Sequence, residues 1–281
     1  MTSAPRSSPV ILITGCSKGF GRELSALALD RGFRVIATAR HVETLVTLKE
    51  QGAEILPLDV TAPPSTITAF AAIAWGIYGH IDFLINNAAY LQCGAIEENT
   101  LEETMIQFNT NVFGLLNTTN AFLPYFRARR AGMIVNISSQ GGCVNMEGTG
   151  IYCASKAAVD SLSDTWAREL AEFNVKCISI QVPGLFRTTV ASTMRRGSRR
   201  IPGYTVADKV VVDYKAASGT EPGDPTKAMI KILDLITAEG IDLPLRFPLG
   251  DDAYENVKSF YLERLAEMEK FKVWSVGTNF N

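Results

Sequence analysis

Tyr152 and Lys156 are two residues whose types and spacing could transfer a proton. They stand four residues apart in a segment with helical periodicity, so their side chains share one face of a helix. A tyrosine has a reference pKa near 10, and lowering it to about 7 requires about 4 kcal/mol of differential stabilisation of the phenolate. A nearby ammonium group acts in that direction. The Y-x-x-x-K spacing alone is common in proteins that do no such chemistry. The rest of the sequence must therefore indicate whether this pair is catalytic.

A glycine-rich loop provides part of that context. The letters TGCSKGFG follow the apolar run VILIT and open a helical segment, as expected for a turn that holds a dinucleotide pyrophosphate at a helix N-terminus. The spacing is G-x-x-x-G-x-G rather than G-x-G-x-x-G, and no GK[ST] follows as it would in an ATP-binding loop. Glycines in such a turn can also serve conformation alone. The loop residues expected to bind the dinucleotide are Gly15, Ser17, Lys18, Gly19, Phe20 and Gly21.

The end of the second predicted strand indicates which dinucleotide binds. NAD sites place an acidic residue there, whereas NADP sites favour a basic one for the 2′-phosphate. Here the strand ends at Arg40 with no carboxylate, and Lys18 lies in the glycine loop, so NADP(H) is the expected cofactor. Arg40 taken singly is also compatible with a solvated surface charge. Asp59 and Val60 end the third strand, where Asp59 either faces the adenine or caps the following turn.

Further motifs at compatible distances complete a pattern that resembles the short-chain dehydrogenase/reductase family between about residues 10 and 188. They are NNAA at 86–89, NVFG at 111–114, ISS at 137–139, YCASK at 152–156 and PGLFRT at 183–188. The resemblance implies an NADP(H)-dependent carbonyl reductase or alcohol dehydrogenase that acts by hydride transfer. It is closest in kind to members that act on steroid-, retinoid- or polyketide-like molecules, such as hydroxysteroid and retinol dehydrogenases.

The resemblance also implies a role for each matching residue. Tyr152 would exchange a proton with the substrate oxygen, and Lys156 would lower the pKa of Tyr152 and bind the nicotinamide ribose. Ser139 would stabilise the developing alkoxide, and Asn111 would hold a water that links Lys156 to solvent. The remaining cofactor contacts it implies are Asn87, Ala88, Pro183, Phe186 and Thr188. The family usually has glycine where this chain has Ala89, and a positive φ there would cost on the order of 1 kcal/mol.

The substrate pocket is expected between the loop at 90–93, the segment 140–146, Leu185 and part of 187–224. The expected apolar lining is Leu91, Cys93, Val144, Met146 and Leu185. A lipophilic ketone, aldehyde or alcohol fits such a lining, although these side chains could equally pack against the body of the protein. The arginines at 195–200 either meet an anionic substrate group or form the solvated face of a lid.

The elements that must position these residues alternate between short β-rich runs and longer helical stretches, which is typical of βαβ units. We expect strands at 10–14, 33–39, 53–58, 81–85, 133–137, 175–182 and 243–247. We expect helices from the glycine loop to about 31, then at 42–51, 65–78, 101–129, 151–173, 225–238 and 251–271. The predicted fold is α/β, a single-domain, doubly wound, Rossmann-like parallel sheet with helices on both faces. Residues 1–9 are expected to be a disordered leader, 10–281 one domain, and 187–224 an irregular substrate lid.

Composition excludes several other classes. Lys and Arg number 27 against 29 Asp and Glu, which gives no broad positive field for nucleic acid. The sequence has only two histidines, and a zinc site or a Ser-His-Asp triad would have to use one of them. No metal is expected. No apolar run has membrane-span length. Five cysteines without regular spacing indicate a reducing compartment, here the cytoplasm.

Two other functions keep the same fold. The cofactor site could serve a non-redox isomerisation or cyclisation, or the chain could be a non-catalytic, cofactor-sensing regulator. An intact Ser139, Tyr152 and Lys156 set speaks against both. Family resemblance also suggests a homodimer or homotetramer built from the helices at 101–129 and 151–173.

Overall fold

A computed structural model describes residues 8–280, so most of the predicted leader at 1–9 lies outside the described residues. Pro9 already belongs to the folded part, because its carbonyl accepts a hydrogen bond from the Arg34 N–H at 2.9 Å. The strands are β1 (Val10–Ile13), β2 (Arg34–Ala39), β3 (Glu54–Pro57), β4 (Phe83–Asn86), β5 (Gln92–Cys93), β6 (Gly132–Ser139), β7 (Val175–Val182), β8 (Arg195–Arg196) and β9 (Arg246–Pro248).

Helices cover both faces of the main sheet, which seven of these strands build. They are α1 (Gly19–Asp30), α2 (Val46–Glu50), α3 (Pro64–Tyr78), α4 (Leu101–Phe108), α5 (Leu115–Arg129), α6 (Gly150–Glu169), α7 (Val190–Thr193), α8 (Val206–Ala217), α9 (Pro225–Thr237), α10 (Asp251–Lys270) and α11 (Lys272–Ser275). Alternate residues of β1 face opposite ways. Ile11 packs in a core with residues of α1 and α9, and Leu12 packs in a second core with residues of α3, α5 and α6. The predicted doubly wound architecture is therefore confirmed.

The order of the seven parallel strands creates the place where a ligand can bind. It runs β3-β2-β1-β4-β6-β7-β9, so the chain leaves β1 in one direction and later returns to β4 on its other side. The two connections diverge there and leave a crevice at the carboxyl ends of the strands, which is where open α/β sheets bind ligands. The glycine turn follows β1, and Asn87 follows β4.

Two segments differ from the sequence-based expectation. The single helix expected at 101–129 is divided by a π-helical segment, Asn109–Gly114, between α4 and α5. The segment 187–224, expected to be irregular, contains α7, α8 and β8, and β8 pairs with β5 in a small second sheet. The other predicted elements are present with ends that differ by a few residues, as is usual at element boundaries.

Helix α10, near the end of the chain, has its buried residues only near its start. Its buried residues are Ala253 and Val257, whereas apolar side chains farther along are exposed, such as Leu265 and Met268.

In the described part of the chain, no helix is both long enough and apolar enough to span a bilayer. All five cysteines are buried and unpaired.

Candidate active site

A cleft of about 620 Å³ opens at the carboxyl ends of β1 and β4. Fifteen of the residues predicted from sequence to act or to bind cofactor line it, and they are Gly15, Ser17, Lys18, Gly19, Phe20, Arg40, Asp59, Val60, Asn87, Ala88, Ser139, Tyr152, Pro183, Phe186 and Thr188. The three predicted residues that do not line it are Gly21, Asn111 and Lys156. Its volume falls in the range of small-molecule and cofactor pockets.

The glycine turn has the conformation and the free donors that an anion needs. Gly15 has φ +73° and Gly19 has φ +61°, a left-handed geometry that glycine adopts without strain. No side chain caps the start of α1, whose N-cap is Lys18, so the first N–H groups of this helix remain available. A helix N-terminus of this kind suits a dinucleotide pyrophosphate.

Thr14, which sequence reasoning missed, joins the ends of β1 and β4. Its hydroxyl accepts hydrogen bonds from the backbone N–H groups of Asn87 at 2.9 Å and Ala88 at 3.0 Å, and donates to the Ile85 carbonyl at 3.4 Å. The Asn87 side-chain amide donates back to the carbonyls of Thr14 at 2.8 Å and Gly15 at 3.1 Å. The turns that follow the two strands are thus held as one unit.

Gly21→Ala is expected to destabilise this unit. A Cβ atom at position 21 would lie 2.5 Å from Asn87 Nδ2 and 2.5 Å from the Gly15 carbonyl oxygen. Overpacking of this kind costs about 1–3 kcal/mol, and we expect both a lower free energy of unfolding and weaker NADPH binding. Urea denaturation and NADPH fluorescence titration measure the two effects.

Gly76→Ala is the matched control. Gly76 lies inside α3, and a Cβ atom there meets nothing within 4 Å. The substitution is therefore expected to raise stability by about 0.5–1 kcal/mol and to leave NADPH binding unchanged. Equal behaviour of the two variants would contradict the close packing at Gly21.

The ribose end of the cleft carries Arg40 and Lys18, both exposed. Within residues 8–280 neither side chain has a carboxylate partner at ion-pair distance. Asp59 lines the same region, and its Oδ1 accepts hydrogen bonds from the Thr61 N–H at 2.9 Å and the Thr61 hydroxyl at 2.7 Å. Of the two roles expected for Asp59, capping the turn after β3 is the one seen in its contacts.

Ser139, Tyr152 and Lys156 meet where β6 ends against the first turns of α6. Ser139 is buried, its Oγ accepts from the Gly141 N–H at 3.1 Å, and its side chain lies close to that of Tyr152. Lys156 Nζ lies 5.8 Å from the centre of the Tyr152 ring and donates to the Ile137 carbonyl at 2.8 Å. Ser139 and Tyr152 line the cleft, and Lys156, which does not line it, lies behind them.

Burial is the main influence on the pKa values of Tyr152 and Lys156 in the cofactor-free chain. It raises the pKa of Tyr152 above its ordinary value, and the Ser139 hydrogen bond opposes that change only in part. This is the reverse of the lowering expected from Lys156. Burial also lowers the pKa of Lys156 to about 8, against an opposing effect of Asp160. At neutral pH the free protein thus holds a protonated tyrosine that is ready to donate.

The lowered pKa of Lys156 predicts a pH-dependent stability. Between about pH 8 and the ordinary lysine value near 10.4, the unfolded chain binds the proton that the folded chain has lost. Stability rises with pH wherever the unfolded state binds more protons. The penalty for burying the charge is therefore present in full below about pH 8 and is relieved as the pH rises toward 10.4.

Urea denaturation of the wild type and Lys156→Met across this pH window isolates the effect. We expect the stability of the wild type relative to Lys156→Met to improve from neutral pH to the upper end of the window. Lys176→Met, which removes an exposed lysine of β7, controls for the loss of a lysine as such. A wild-type minus Lys156→Met difference that does not change with pH would contradict the lowered pKa.

Asn111 lies in the π-helical segment between α4 and α5 and is 1% exposed. Its Oδ1 accepts from the Tyr90 N–H at 3.1 Å, and its Nδ2 donates to the Tyr90 carbonyl and to Ser155 Oγ, each at 3.1 Å. Single π-helical turns inside α-helices occur frequently at functional sites. Here the turn places an amide that fixes the loop after β4 against α6.

Asp160 and Tyr214 also belong to the site and were not predicted. Asp160 is fully buried one turn after Lys156, and it accepts hydrogen bonds from Ser179 Oγ at 2.5 Å and Gln181 Nε2 at 2.7 Å. Its spacing from Lys156 was the available signal, because residues four apart share a helix face. Tyr214 reaches the cleft from α8, a helix that the sequence pattern did not reveal.

Some of the residues expected to form the substrate wall line the cleft, and others do not. Tyr90, Leu91 and Met146 line the cleft, joined there by Ile106, Val190 and Tyr214. Three predicted wall residues, Cys93, Val144 and Leu185, do not line it. Cys93 is fully buried with its thiol against the Arg195 carbonyl at 3.2 Å, and the side chain of Leu185 is exposed.

Ala89 lines the cleft without the strain considered for it. Among the described non-glycine residues, positive φ occurs at Arg130 and Asn174 only.

Residues 8–280 contain no cluster of three or more His, Cys, Asp or Glu side chains arranged to hold a metal ion.

Comparison with known proteins agrees with this architecture. The short chain dehydrogenase family model matches residues 9–199. The chain is 34% identical to the uncharacterized oxidoreductase YusZ of Bacillus subtilis (strain 168), over 86% of this chain and 89% of that protein. A short-chain dehydrogenase from Streptomyces avermitilis superposes with a TM-score of 0.89 at 36% identity, covering 98% of this chain and 100% of the other.

A more distant structure shares the fold and was solved with a cofactor. It is a short chain dehydrogenase/reductase from Burkholderia phymatum in complex with NAD, with a TM-score of 0.76 at 21% identity and 98% coverage of both chains. The chain therefore belongs to the short-chain dehydrogenase/reductase family, and it is an oxidoreductase.

Proposed function

We propose that the chain is an NADP(H)-dependent carbonyl reductase or alcohol dehydrogenase. It transfers a hydride between the nicotinamide and a lipophilic ketone, aldehyde or alcohol. The observation that carries the proposal is that Ser139 and Tyr152 line the same cleft as the uncapped glycine turn, with Lys156 directly behind them.

In this proposal the chain's own residues hold the substrate oxygen and move its proton. When bound, the reduced cofactor supplies the hydride. Tyr152 donates its proton to the carbonyl oxygen, and Ser139 donates a hydrogen bond that stabilises the negative charge developing there. The raised pKa of Tyr152 in the free protein favours the protonated form, which suits the reducing direction.

Lys156 and Asn111 support this transfer. Lys156 binds the nicotinamide ribose and, with the oxidised cofactor, lowers the pKa of Tyr152 for the oxidising direction. Asn111 holds the water that connects Lys156 to solvent. Its side-chain amide is already bound to Tyr90 and Ser155, so it also positions the substrate loop.

The preference for NADP(H) rests on charge. Arg40 and Lys18 line the ribose end of the cleft, and the single acidic residue in its lining, Asp59, is engaged with Thr61. Two cations that have no carboxylate partner within residues 8–280 favour a 2′-phosphate over a 2′-hydroxyl. The other proposed cofactor contacts are Gly15, Ser17, Gly19, Phe20, Gly21, Val60, Asn87, Ala88, Pro183, Phe186 and Thr188.

The proposed substrate is lipophilic because Leu91, Met146 and Val190 line the cleft beside Tyr152. Residues 187–224, with α7 and α8, form the proposed lid over it. We further propose a homodimer or homotetramer, since Leu101, Met105 and Phe113 expose large apolar surfaces on the α4 side. The five unpaired cysteines support the cytoplasm as the compartment.

A panel of lipophilic ketones, aldehydes and alcohols, assayed through NADPH absorbance in both directions, tests the proposed function. Consumption of NADPH with ketones or aldehydes supports it. NADPH that binds without any turnover across the panel would favour the non-redox or cofactor-sensing alternatives.

A further inference from the structure

The four arginines between 195 and 200 have different surroundings. Arg196 is largely buried and forms ion pairs with Glu98 at 3.0 Å and Asp208 at 3.2 Å. Arg200 donates to the carbonyls of Gly197 and Arg199. Arg196 and Arg200 therefore hold the segment together.

Arg195 is held in the lining of the cleft. Its backbone N–H donates to the Leu91 carbonyl at 2.9 Å where β8 pairs with β5, which fixes the start of its side chain. Its guanidinium carbon lies 4.8 Å from the centre of the Tyr90 ring. Tyr90 is itself held at both backbone groups by Asn111. The guanidinium of Arg195 is thus held against an aromatic ring that is itself fixed in the candidate active site.

The charge of Arg195 has no acidic partner in the described part of the chain. Among residues 8–280, no carboxylate lies at ion-pair distance from it. Glu103 lines a neighbouring pocket with Arg195, but its oxygens accept from the backbone N–H groups of Thr100 and Ser198, both at 2.9 Å. A guanidinium stacked on an aromatic ring keeps its N–H edge free, and that edge matches a carboxylate in a two-pronged geometry.

The surroundings of Arg195 indicate what carries the anion. Leu91, Ile106 and Met146 line the same cleft, so an apolar body fits beside the charge. One guanidinium balances a single negative charge, which favours a carboxylate over a phosphate dianion. Lys18 and Arg40, the charges assigned to the cofactor, follow β1 and β2. Arg195 instead lies on Tyr90, which follows β4, so its charge is separate from theirs in the fold.

We propose that Arg195 binds a carboxylate of the substrate, which is therefore an amphipathic oxo acid or hydroxy acid with an apolar chain. The inference rests on the proposed function and specifies the substrate class of the same site. Arg195 selects the substrate by its charge, and Tyr152 and Ser139 act on its carbonyl oxygen.

The test uses the full-length protein, NADPH and straight-chain oxo carboxylates with increasing numbers of methylene groups between ketone and carboxylate. The methyl ester of each acid is the uncharged partner. The wild type is expected to prefer the acid at one chain length. Arg195→Met is expected to lower kcat/KM for that acid by about tenfold or more, with little change for its ester or in the KM for NADPH.

Arg199→Met is the matched control, because it removes an exposed arginine of the same segment that does not line the cleft. It is expected to leave the ratio of acid to ester unchanged. Equal losses for acid and ester in Arg195→Met, or no acid preference at any chain length, would overturn the inference. Ester turnover in that case leaves the proposed function standing.

A second readout needs no turnover. At least one acid of the series is expected to raise the Tm of the NADPH-saturated wild type more than its ester does, and Arg195→Met is expected to lose that difference. If no compound is reduced, the proposed function fails, and carboxylate binding is judged on this shift alone. Absence of the shift overturns the inference.

Discussion

Tyr152→Phe is expected to lower kcat by about 1,000-fold while NADPH still binds. Phenylalanine keeps the ring and its packing but has no proton to give, and general acid catalysis contributes about 10²–10⁴-fold. Tyr152 lines the cleft beside Ser139, so its hydroxyl is available to a carbonyl oxygen bound there. Steady-state kinetics measures the loss, and NADPH fluorescence titration shows whether the cofactor site survives.

Tyr214→Phe controls for the loss of a phenolic hydroxyl in the same cleft. Tyr214 reaches the cleft from α8, whereas the ring that Lys156 Nζ contacts is that of Tyr152. We expect this variant to keep most of its turnover. Full activity in Tyr152→Phe, or a larger loss in Tyr214→Phe than in Tyr152→Phe, would assign the proton to another group.

Arg40→Asp is expected to weaken NADPH binding by about 100-fold and NADH binding far less. The substitution removes a charge-assisted hydrogen bond to the 2′-phosphate and places a like charge beside it. A carboxylate at the end of β2 can also accept hydrogen bonds from the ribose of NADH. Dissociation constants for both cofactors, measured at one ionic strength, give the change in preference.

Lys49→Asp makes the same change of charge on α2, away from the cleft. It is expected to leave the ratio of the two dissociation constants unchanged, which separates a local contact from a general effect of net charge. If Arg40→Asp also leaves the ratio unchanged, the proposed role of Arg40 is wrong.

The strands and their parallel, doubly wound arrangement were predictable because each strand leaves a local pattern. VILIT is a continuous β-branched run followed by glycines, and such runs are typical of strands buried on both faces. The glycine turn, Asn87 and the Tyr152 helix each follow or precede a strand. Parallel topology then brings them to one edge without any long-range information.

The parts that were missed depend on contacts rather than on periodicity. The π-helical segment at Asn109–Gly114 keeps the apolar pattern of a helix, so the sequence around it resembles one continuous helix. Helix α8 follows a stretch with scattered glycine, proline and serine. Nothing local shows that Arg196 would pair with Glu98 while Arg195 lines the cleft, because Glu98 lies 98 residues from Arg196 in the chain.

The hydroxyl of Thr14 has a consequence for how the cofactor associates. Its two acceptor positions are filled by the N–H groups of Asn87 and Ala88, and its proton is directed at the Ile85 carbonyl, so the group is saturated before any ligand arrives. The dinucleotide therefore meets preorganised strand ends and does not have to order them. Little conformational entropy is lost there on association, and the free energy of its contacts can appear directly as affinity.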